Sequence, residues 1–124
     1  MFTDYDILVD SDLKNLASRV KRKLKTWTPI SEITVIQNPS KFNEFALQLG
    51  ELDPATAIIS PFLDYDILID NDINNLKHQV KRLMAYNWFP VGDLLVIPSH
   101  QGYNTFAIQV AELSNTNMAQ LFGP

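Results

Sequence analysis

The sequence predicts an α+β protein made of two tandem β-α-β-β repeats with pseudo-two-fold symmetry. The main observation is that the stretch Asp4 to Asp12 returns almost unchanged as Asp64 to Asp72. In both places apolar residues at helical spacing follow, and both helical patterns end at a Trp-x-Pro sequence. We therefore expect a first repeat at 1–52, a packed linker at 53–62, a second repeat at 63–113 and a C-terminal tail at 114–124.

The first element of each repeat is a strand. Tyr5, Ile7 and Val9 alternate with acidic residues, and this pattern predicts that they face the core. Leu8 falls on the opposite side, which is too apolar to be left uncovered. Two arrangements are open: the two sheets pack face to face, or they join edge to edge with both helices on one side.

A helix follows each first strand. Asp12 stands where an N-cap is expected, since its carboxylate can accept backbone N–H groups and suits the positive end of the helix dipole. Residues at spacings of three and four then form one apolar stripe, which we expect to lie on one face of each antiparallel or mixed sheet. The stripe is Leu13, Leu16, Ala17, Val20 and Leu24 in the first repeat, and Ile73, Leu76, Val80 and Leu83 or Met84 in the second.

The remaining elements of each repeat are two strands. Pro29 ends the first helix, and Trp27 is expected to seal the helix end against the core. Residues 30–37 then read as the second strand and residues 42–49 as the third, with a turn at 38–41. A crossover helix predicts that the first two strands run parallel, with the third between them or at an edge.

Composition and charge narrow the classes of function. The chain has no Cys and a formal net charge of −4, with 46% hydrophobic residues. The apolar runs are far shorter than a membrane span, and no signal peptide is visible, so we expect a soluble cytoplasmic protein. Nucleic-acid binding is disfavoured by the negative net charge and by the lack of alternating aromatic and basic residues.

The Trp-x-Pro segments also carry a family resemblance. With the apolar strand and helix before them and the aromatic last strand after them, Trp27-Thr28-Pro29 and Trp88-Phe89-Pro90-Val91-Gly92 resemble a short bacterial and phage domain of unknown function. That family has the pattern Gly-Trp-x-Pro-x-Gly-Gly followed by Tyr-Tyr-Gln-Ala. Thr26 and Asn87 replace the first Gly, and Ser31 stands where the second copy has Gly92. The resemblance implies a phage-type accessory protein, a class that often sequesters host molecules.

Acidic and histidine residues offer candidate sites. Asp4, Asp6, Asp10 and Asp12, with their second-copy counterparts, could bind a hard cation, although helix caps and solvated edge charges explain them as well. The spacing of a calcium loop is missing. His78 and His100 have neither zinc spacing nor a partner for a catalytic triad. The sequence therefore predicts no catalytic residues, no metal and no cofactor.

Two other groups of residues suit a ligand. Matched basic pairs near the helix ends could grip the phosphate of a nucleotide-like anion, or could be solvated helix faces. Around the loop 99–102, aromatic, amide and imidazole groups suit a polar ring ligand. The candidate ligand-binding residues are Lys21, Arg22, Lys81 and Arg82 from the basic pairs, and His100, Tyr103, Asn104 and Gln109 around the loop.

The function that these features favour is non-enzymatic binding. We expect the protein to sequester a small anionic ligand, for example a cyclic nucleotide, at an interface between repeats or subunits, as an anti-defence protein would. The alternative is a protein-interaction or inhibitor module that acts on a host protein through an acidic surface or an open sheet edge. An enzyme is the least supported class. An exposed sheet face or edge would also favour a homo-oligomer.

Overall fold

The chain divides into two compact units, Met1–Pro61 and Phe62–Pro124. The computed structural model describes residues 2–37, 42–53, 62–98 and 103–113. The first unit contains β1 (Phe2–Asp10), α1 (Leu13–Lys23), β2 (Trp27–Pro29), β3 (Thr34–Ile36) and β4 (Glu44–Leu52). The second contains β5 (Phe62–Asp70), α2 (Ile73–Met84), β6 (Trp88–Pro90), β7 (Leu95–Pro98) and β8 (Asn104–Leu113). Two helices and two antiparallel sheets confirm the α+β class.

Each sheet is built around its last strand. In the first unit β4 pairs antiparallel with β1 along one edge and with β2 and β3 along the other. In the second unit β8 pairs in the same way with β5, β6 and β7. Of the two predicted places for the third strand, between the first two or at an edge, the structure shows the first. β3 lies within the predicted second strand at 30–37, whereas β2 lies before it, in the Trp-x-Pro segment where the sequence predicts only the end of the helix. The predicted turn at 38–41, most of the linker (54–61) and the tail at 114–124 lie outside the described residues.

Both helices begin at the predicted caps. The carboxylate of Asp12 accepts hydrogen bonds from the backbone N–H groups of Lys14 and Asn15, and Asp72 does the same at the start of α2. The five predicted stripe residues of the first helix segment, from Leu13 to Leu24, are all buried. Of the twelve residues of α2, all of which the structure describes, Leu76 alone is buried. The two helices therefore cover their sheets to different extents.

The first strand of each unit faces the helix with the residues opposite to those predicted. Leu68 of β5 packs with Leu76 of α2 and Val110 of β8. In β1 the matching residue Leu8 is buried, and Asp10 on the same side bonds to α1. Tyr5, Ile7 and Val9 instead lie on the sheet face away from α1 and are exposed, so the prediction that they face the core is wrong for the first unit, whereas the matching Tyr65 and Ile67 of β5 are buried. The reason is that apolar residues occupy both faces of this strand, and alternation does not show which face the helix covers.

The sheet face away from the helix differs in burial between the units. In the first unit Tyr5 is 52% exposed and its hydroxyl donates to Gln48 Oε1 at 2.8 Å. In the second unit Tyr65, which is 2% exposed, donates to the amide oxygen of the buried Gln109. A buried polar atom needs such a partner, because desolvation without one is costly.

Removal of the two tyrosine hydroxyls is therefore expected to have unequal effects. Tyr65→Phe leaves the buried amide oxygen of Gln109 without its donor, which is expected to cost about 1–3 kcal/mol of the free energy of unfolding. Tyr5→Phe lets water replace the hydroxyl, at a cost of about 0.5 kcal/mol or less. Urea denaturation followed by circular dichroism measures both values. Equal losses in the two variants would contradict the assigned difference in burial.

Candidate functional site

An open apolar groove runs along one side of α2 in the second unit. Its free volume is about 270 Å³. Helical spacing brings one face of α2 to the groove, and the residue before β7 and one residue of β8 complete it. The lining residues are Ile73, Leu76, Lys77, Val80, Lys81, Leu94 and Ile108. We call this site the α2 groove.

The corresponding place in the first unit is filled. An offset of 60 matches Leu13 to Ile73, and an offset of 61 beyond the helix matches Ile33 to Leu94. Leu13 and Ile33 are 5% and 7% exposed, whereas Ile73 and Leu94 are 46% and 43% exposed. The same two positions thus close the first unit's core and leave the second unit's core open.

The two helices differ at one position of the apolar stripe beside the groove. Ala17 lies in the buried stripe of α1, and the same offset places Lys77 at this position in α2. An ammonium group is almost never buried without a partner, because its desolvation is too costly. Lys77 must therefore stay exposed at a position that otherwise packs on the sheet. The side chains around it, including Ile73 and Leu94, remain accessible.

The edge of the groove carries positive charge. Lys77 and Lys81 are both exposed and lie one helical turn apart, where Cβ atoms are about 5–6 Å from each other. Within the part of the chain that the structure describes, neither ammonium group forms an ion pair with a carboxylate. Like charges at this spacing repel each other, so an anion that contacts both would relieve the repulsion. The groove combines an aliphatic floor with two available cations.

The acidic clusters hold the strand ends to the helices. Asp10 accepts hydrogen bonds from the backbone N–H of Asp12 at 2.9 Å, from Asn15 Nδ2 at 2.6 Å and from Arg19 at 3.4 Å. The backbone N–H of Asp12, more than the Asn15 and Arg19 side chains, lowers the pKa of Asp10 because it stabilises the carboxylate. The pKa of Asp70 is lowered for the same first reason, by the backbone N–H of Asp72. Among the described residues no group of three acidic or histidine side chains is placed to hold a metal ion.

The predicted ligand residues that the structure describes lie on different elements. Lys81 lines the α2 groove, and Arg82 is exposed beside it on the same helix. Lys21 and Arg22 are exposed at the end of α1, in the unit where the place that corresponds to the α2 groove is filled. His78 is exposed on α2, whereas His100 and the rest of the loop 99–102 lie outside the described residues.

The predicted residues near β8 point in different directions. Tyr103 and Asn104 are exposed at the start of the strand. The strand pairing places Asn104 and Gln109 on opposite faces of the sheet, about 17 Å apart along the strand. Gln109 is also engaged with Tyr65. A shared ring-binding role for Asn104 and Gln109 therefore has no support in the geometry of this strand.

The prediction from sequence did not include most of the groove. Ile73 and Val80 were assigned to the core stripe, and Lys77, Leu94 and Ile108 were given no role. A signal was present in the alignment of the two copies, where Lys77 replaces Ala17 in an otherwise apolar stripe. A charged residue at a core position of one copy indicates that this copy is open there.

Comparison with protein-family models, with curated proteins and with solved structures found no significant match. The resemblance of the two Trp-x-Pro segments to a short bacterial and phage domain therefore stays a prediction. Neither helix is long and apolar enough to cross a bilayer, within the residues that the structure describes. The function must be argued from the site itself.

Proposed function

We propose that the protein is a non-enzymatic binding protein that holds a small anionic ligand in the α2 groove. The observation that carries the proposal is the pair of exposed ammonium groups, Lys77 and Lys81, beside an open apolar surface. Pockets that bind small molecules combine an apolar lining with a few polar groups that orient the ligand. The described lining has this composition. Its side chains are aliphatic or cationic, and they provide binding and charge rather than a carboxylate, imidazole or hydroxyl for acid-base chemistry.

Sequestration of a nucleotide-like ligand is one version of this proposal. A phosphate group would be held by the two lysines through charge-assisted hydrogen bonds, with Arg82 close by on the same helix. The phage-type role that the sequence resemblance implies, together with the cytoplasmic location expected from composition, fits stoichiometric capture of such a molecule. The relation of the two units as tandem copies with pseudo-two-fold symmetry belongs to the same hypothesis, and it would allow a second, altered copy to acquire the ligand site.

Isothermal titration calorimetry with three anions tests the proposal. The probes are inorganic phosphate, a cyclic nucleotide and decanoate. At least one is expected to bind, with a Kd that rises with salt concentration because the lysines contribute by charge. Lys77→Ala/Lys81→Ala is expected to weaken that binding about tenfold or more. The matched control is Lys21→Ala/Lys25→Ala, which removes two exposed lysines of the first unit at the same spacing and is expected to leave Kd unchanged.

Two results would overturn the proposal. One is the absence of heat with all three anions while the protein is folded by circular dichroism. The other is equal loss of affinity in the groove variant and in the first-unit control, because binding would then depend on net charge rather than on the groove.

Self-association is a second candidate function, favoured by the exposed sheet face of the first unit. Phe2, Tyr5, Ile7 and Val9 follow one another on this face, and each is more than two-fifths exposed. The tyrosine hydroxyl is already paired with Gln48, so covering the face leaves that hydroxyl satisfied. A second copy of the chain presents the same row of side chains, and a two-fold contact would bury both rows.

Light scattering measures the mass that this contact predicts. The wild-type chain is expected to have twice the mass of the monomer, and Ile7→Lys is expected to return it to the monomer. The control is Leu63→Lys, at an exposed apolar residue of the second unit, which should stay a dimer. A wild-type protein that stays monomeric at high concentration would contradict self-association through this face.

A further inference from the structure

We infer that the ligand of the α2 groove is an aliphatic amphiphile, an alkyl or acyl chain that ends in one anionic group, either a carboxylate or a phosphate. This inference rests on the proposed function and names its ligand class. It is drawn from the kind of side chains that line the groove, from its size, and from the side on which the charge lies.

The floor of the groove is entirely aliphatic. Among the residues that the structure describes, the lining besides the two lysines consists of Ile, Leu and Val side chains, with no aromatic ring and no side-chain amide or hydroxyl group. A nucleotide base recognised in a pocket needs a ring to stack on and polar partners for its edges, and it loses affinity where its polar atoms are buried without them. An alkyl chain needs neither, and gains affinity from every methylene that leaves water. The lining therefore selects for a chain over a base.

The size of the groove sets the length of the chain. Its volume is about 270 Å³, at the small end of pockets that hold organic ligands. At about 30 Å³ for a group of the size of water, it accommodates on the order of ten carbon atoms. A longer chain would extend into solvent and gain nothing further from the groove.

The position of the charges orients the ligand. Lys77 and Lys81 alternate along α2 with Leu76 and Val80, so cationic and apolar groups adjoin over the length of the groove. One anionic head group reaches both ammonium groups because they are one turn apart. A neutral chain would leave this charge uncompensated, and a cationic chain would be repelled. The site thus requires a negative end on an apolar body.

The first unit serves as a control within the same chain. Its helix also carries basic residues on an exposed face, but Leu13, Ala17 and Ile33 fill the corresponding space. At this position the described part of the first unit therefore offers cations without an open apolar surface. The preference for α2 over α1 should be stronger for an amphiphile than for an inorganic anion.

A series of ligands of increasing chain length tests the inference by isothermal titration calorimetry of the full chain below micelle-forming concentrations. The probes are saturated carboxylates from acetate to dodecanoate, a parallel series of alkyl phosphates, and decanol and decylamine as neutral and cationic controls. Affinity is expected to rise about three- to fourfold per methylene and to level off on the order of ten carbons. Decanol and decylamine are expected to bind at least tenfold more weakly than decanoate. Comparison of the two anionic series shows which head group is preferred.

Two variants assign the effect to the groove. Leu94→Asn, at an exposed lining residue, is expected to flatten the dependence on chain length. Lys77→Gln/Lys81→Gln removes the charge but keeps polar side chains beside the groove, and should weaken binding of all chain lengths by a similar factor. If acetate and phosphate bind as tightly as decanoate, or if a cyclic nucleotide binds more tightly, the amphiphile inference fails and anion binding stands. If no anion binds, both fail. An unchanged slope in Leu94→Asn would also overturn the inference.

Discussion

Ala17→Lys is expected to lower the free energy of unfolding of the first unit by about 3–5 kcal/mol, the size of effect seen when a buried charge has no partner. Ala17 is 3% exposed, in the middle of the stripe that α1 presents to its sheet. An ammonium group at this position must either lose its hydration or push the helix away from the sheet, and both are costly. The effect is measured by urea denaturation followed by circular dichroism.

The matched change in the second unit is Lys77→Ala. It restores the residue of the first copy at a position that is already exposed, so the free energy of unfolding is expected to stay within about 0.5 kcal/mol of wild type. The contrast between the two variants is the informative quantity. A cost below about 1 kcal/mol for Ala17→Lys would contradict the explanation that a lysine in the stripe keeps the groove open.

Truncation of the first helical residue is expected to lower the free energy of unfolding more in the first unit than in the second, by about 2 kcal/mol or more. Leu13→Ala removes a side chain that is almost fully buried and leaves a cavity, which costs about 2–4 kcal/mol. Ile73→Ala removes the matching side chain of α2, which is half exposed at the mouth of the groove, and is expected to cost about 1 kcal/mol or less. Urea denaturation of both variants measures the difference.

Leu13→Ala and Ile73→Ala are also expected to differ in which property they change, the stability of the protein or its affinity for decanoate. Ile73→Ala is expected to weaken decanoate binding although it barely changes stability, whereas Leu13→Ala is expected to change stability and leave binding intact at temperatures where the protein stays folded. Equal destabilisation by the two substitutions would show that the second unit is as closed as the first.

Much of the fold could be predicted from the sequence because local chemistry determines it. The apolar spacing from Leu13 to Leu24 and the carboxylate of Asp12 specify where α1 begins and which side it buries, and the structure confirms both. The parallel direction of β1 and β2 follows from the crossover helix between them, whereas the choice between a central and an edge position for the last strand does not. These features depend on residues that are close in sequence or on general rules of chain geometry.

The orientation of the first strand could not be predicted from local pattern. Tyr5 and Ile7 are apolar on one side and Leu8 is apolar on the other, so the alternation fits either face. In the structure Leu8 is buried and Asp10, on the same side, bonds to Asn15 and Arg19 of α1, contacts that become visible only in three dimensions. The strand β2, in the Trp-x-Pro segment where the sequence predicts only a helix end, likewise depends on a three-dimensional contact, its pairing with β4. Pro29 ends β2 at the sheet edge, where its missing N–H costs no ladder bond.

The candidate site was only partly predictable. Lys81 was identified from its charge, but a charged residue near a helix end is common and gives no sign of an apolar floor beneath it. The floor depends on how far a few side chains, among them Ile73 and Leu94, are left uncovered when Lys77 replaces a small apolar residue. The exposure of these side chains is a property of packing and cannot be predicted from the type of residue alone.

The most direct test of the groove as the ligand site is a titration of the ¹⁵N-labelled protein with decanoate, followed by NMR amide shifts. If the α2 groove binds the ligand, saturable shifts cluster at Ile73 to Lys81, at Leu94 and around Ile108, while the amides of α1 stay in place. Shifts that centre on the basic end of α1, or that spread evenly over both helices, would contradict it.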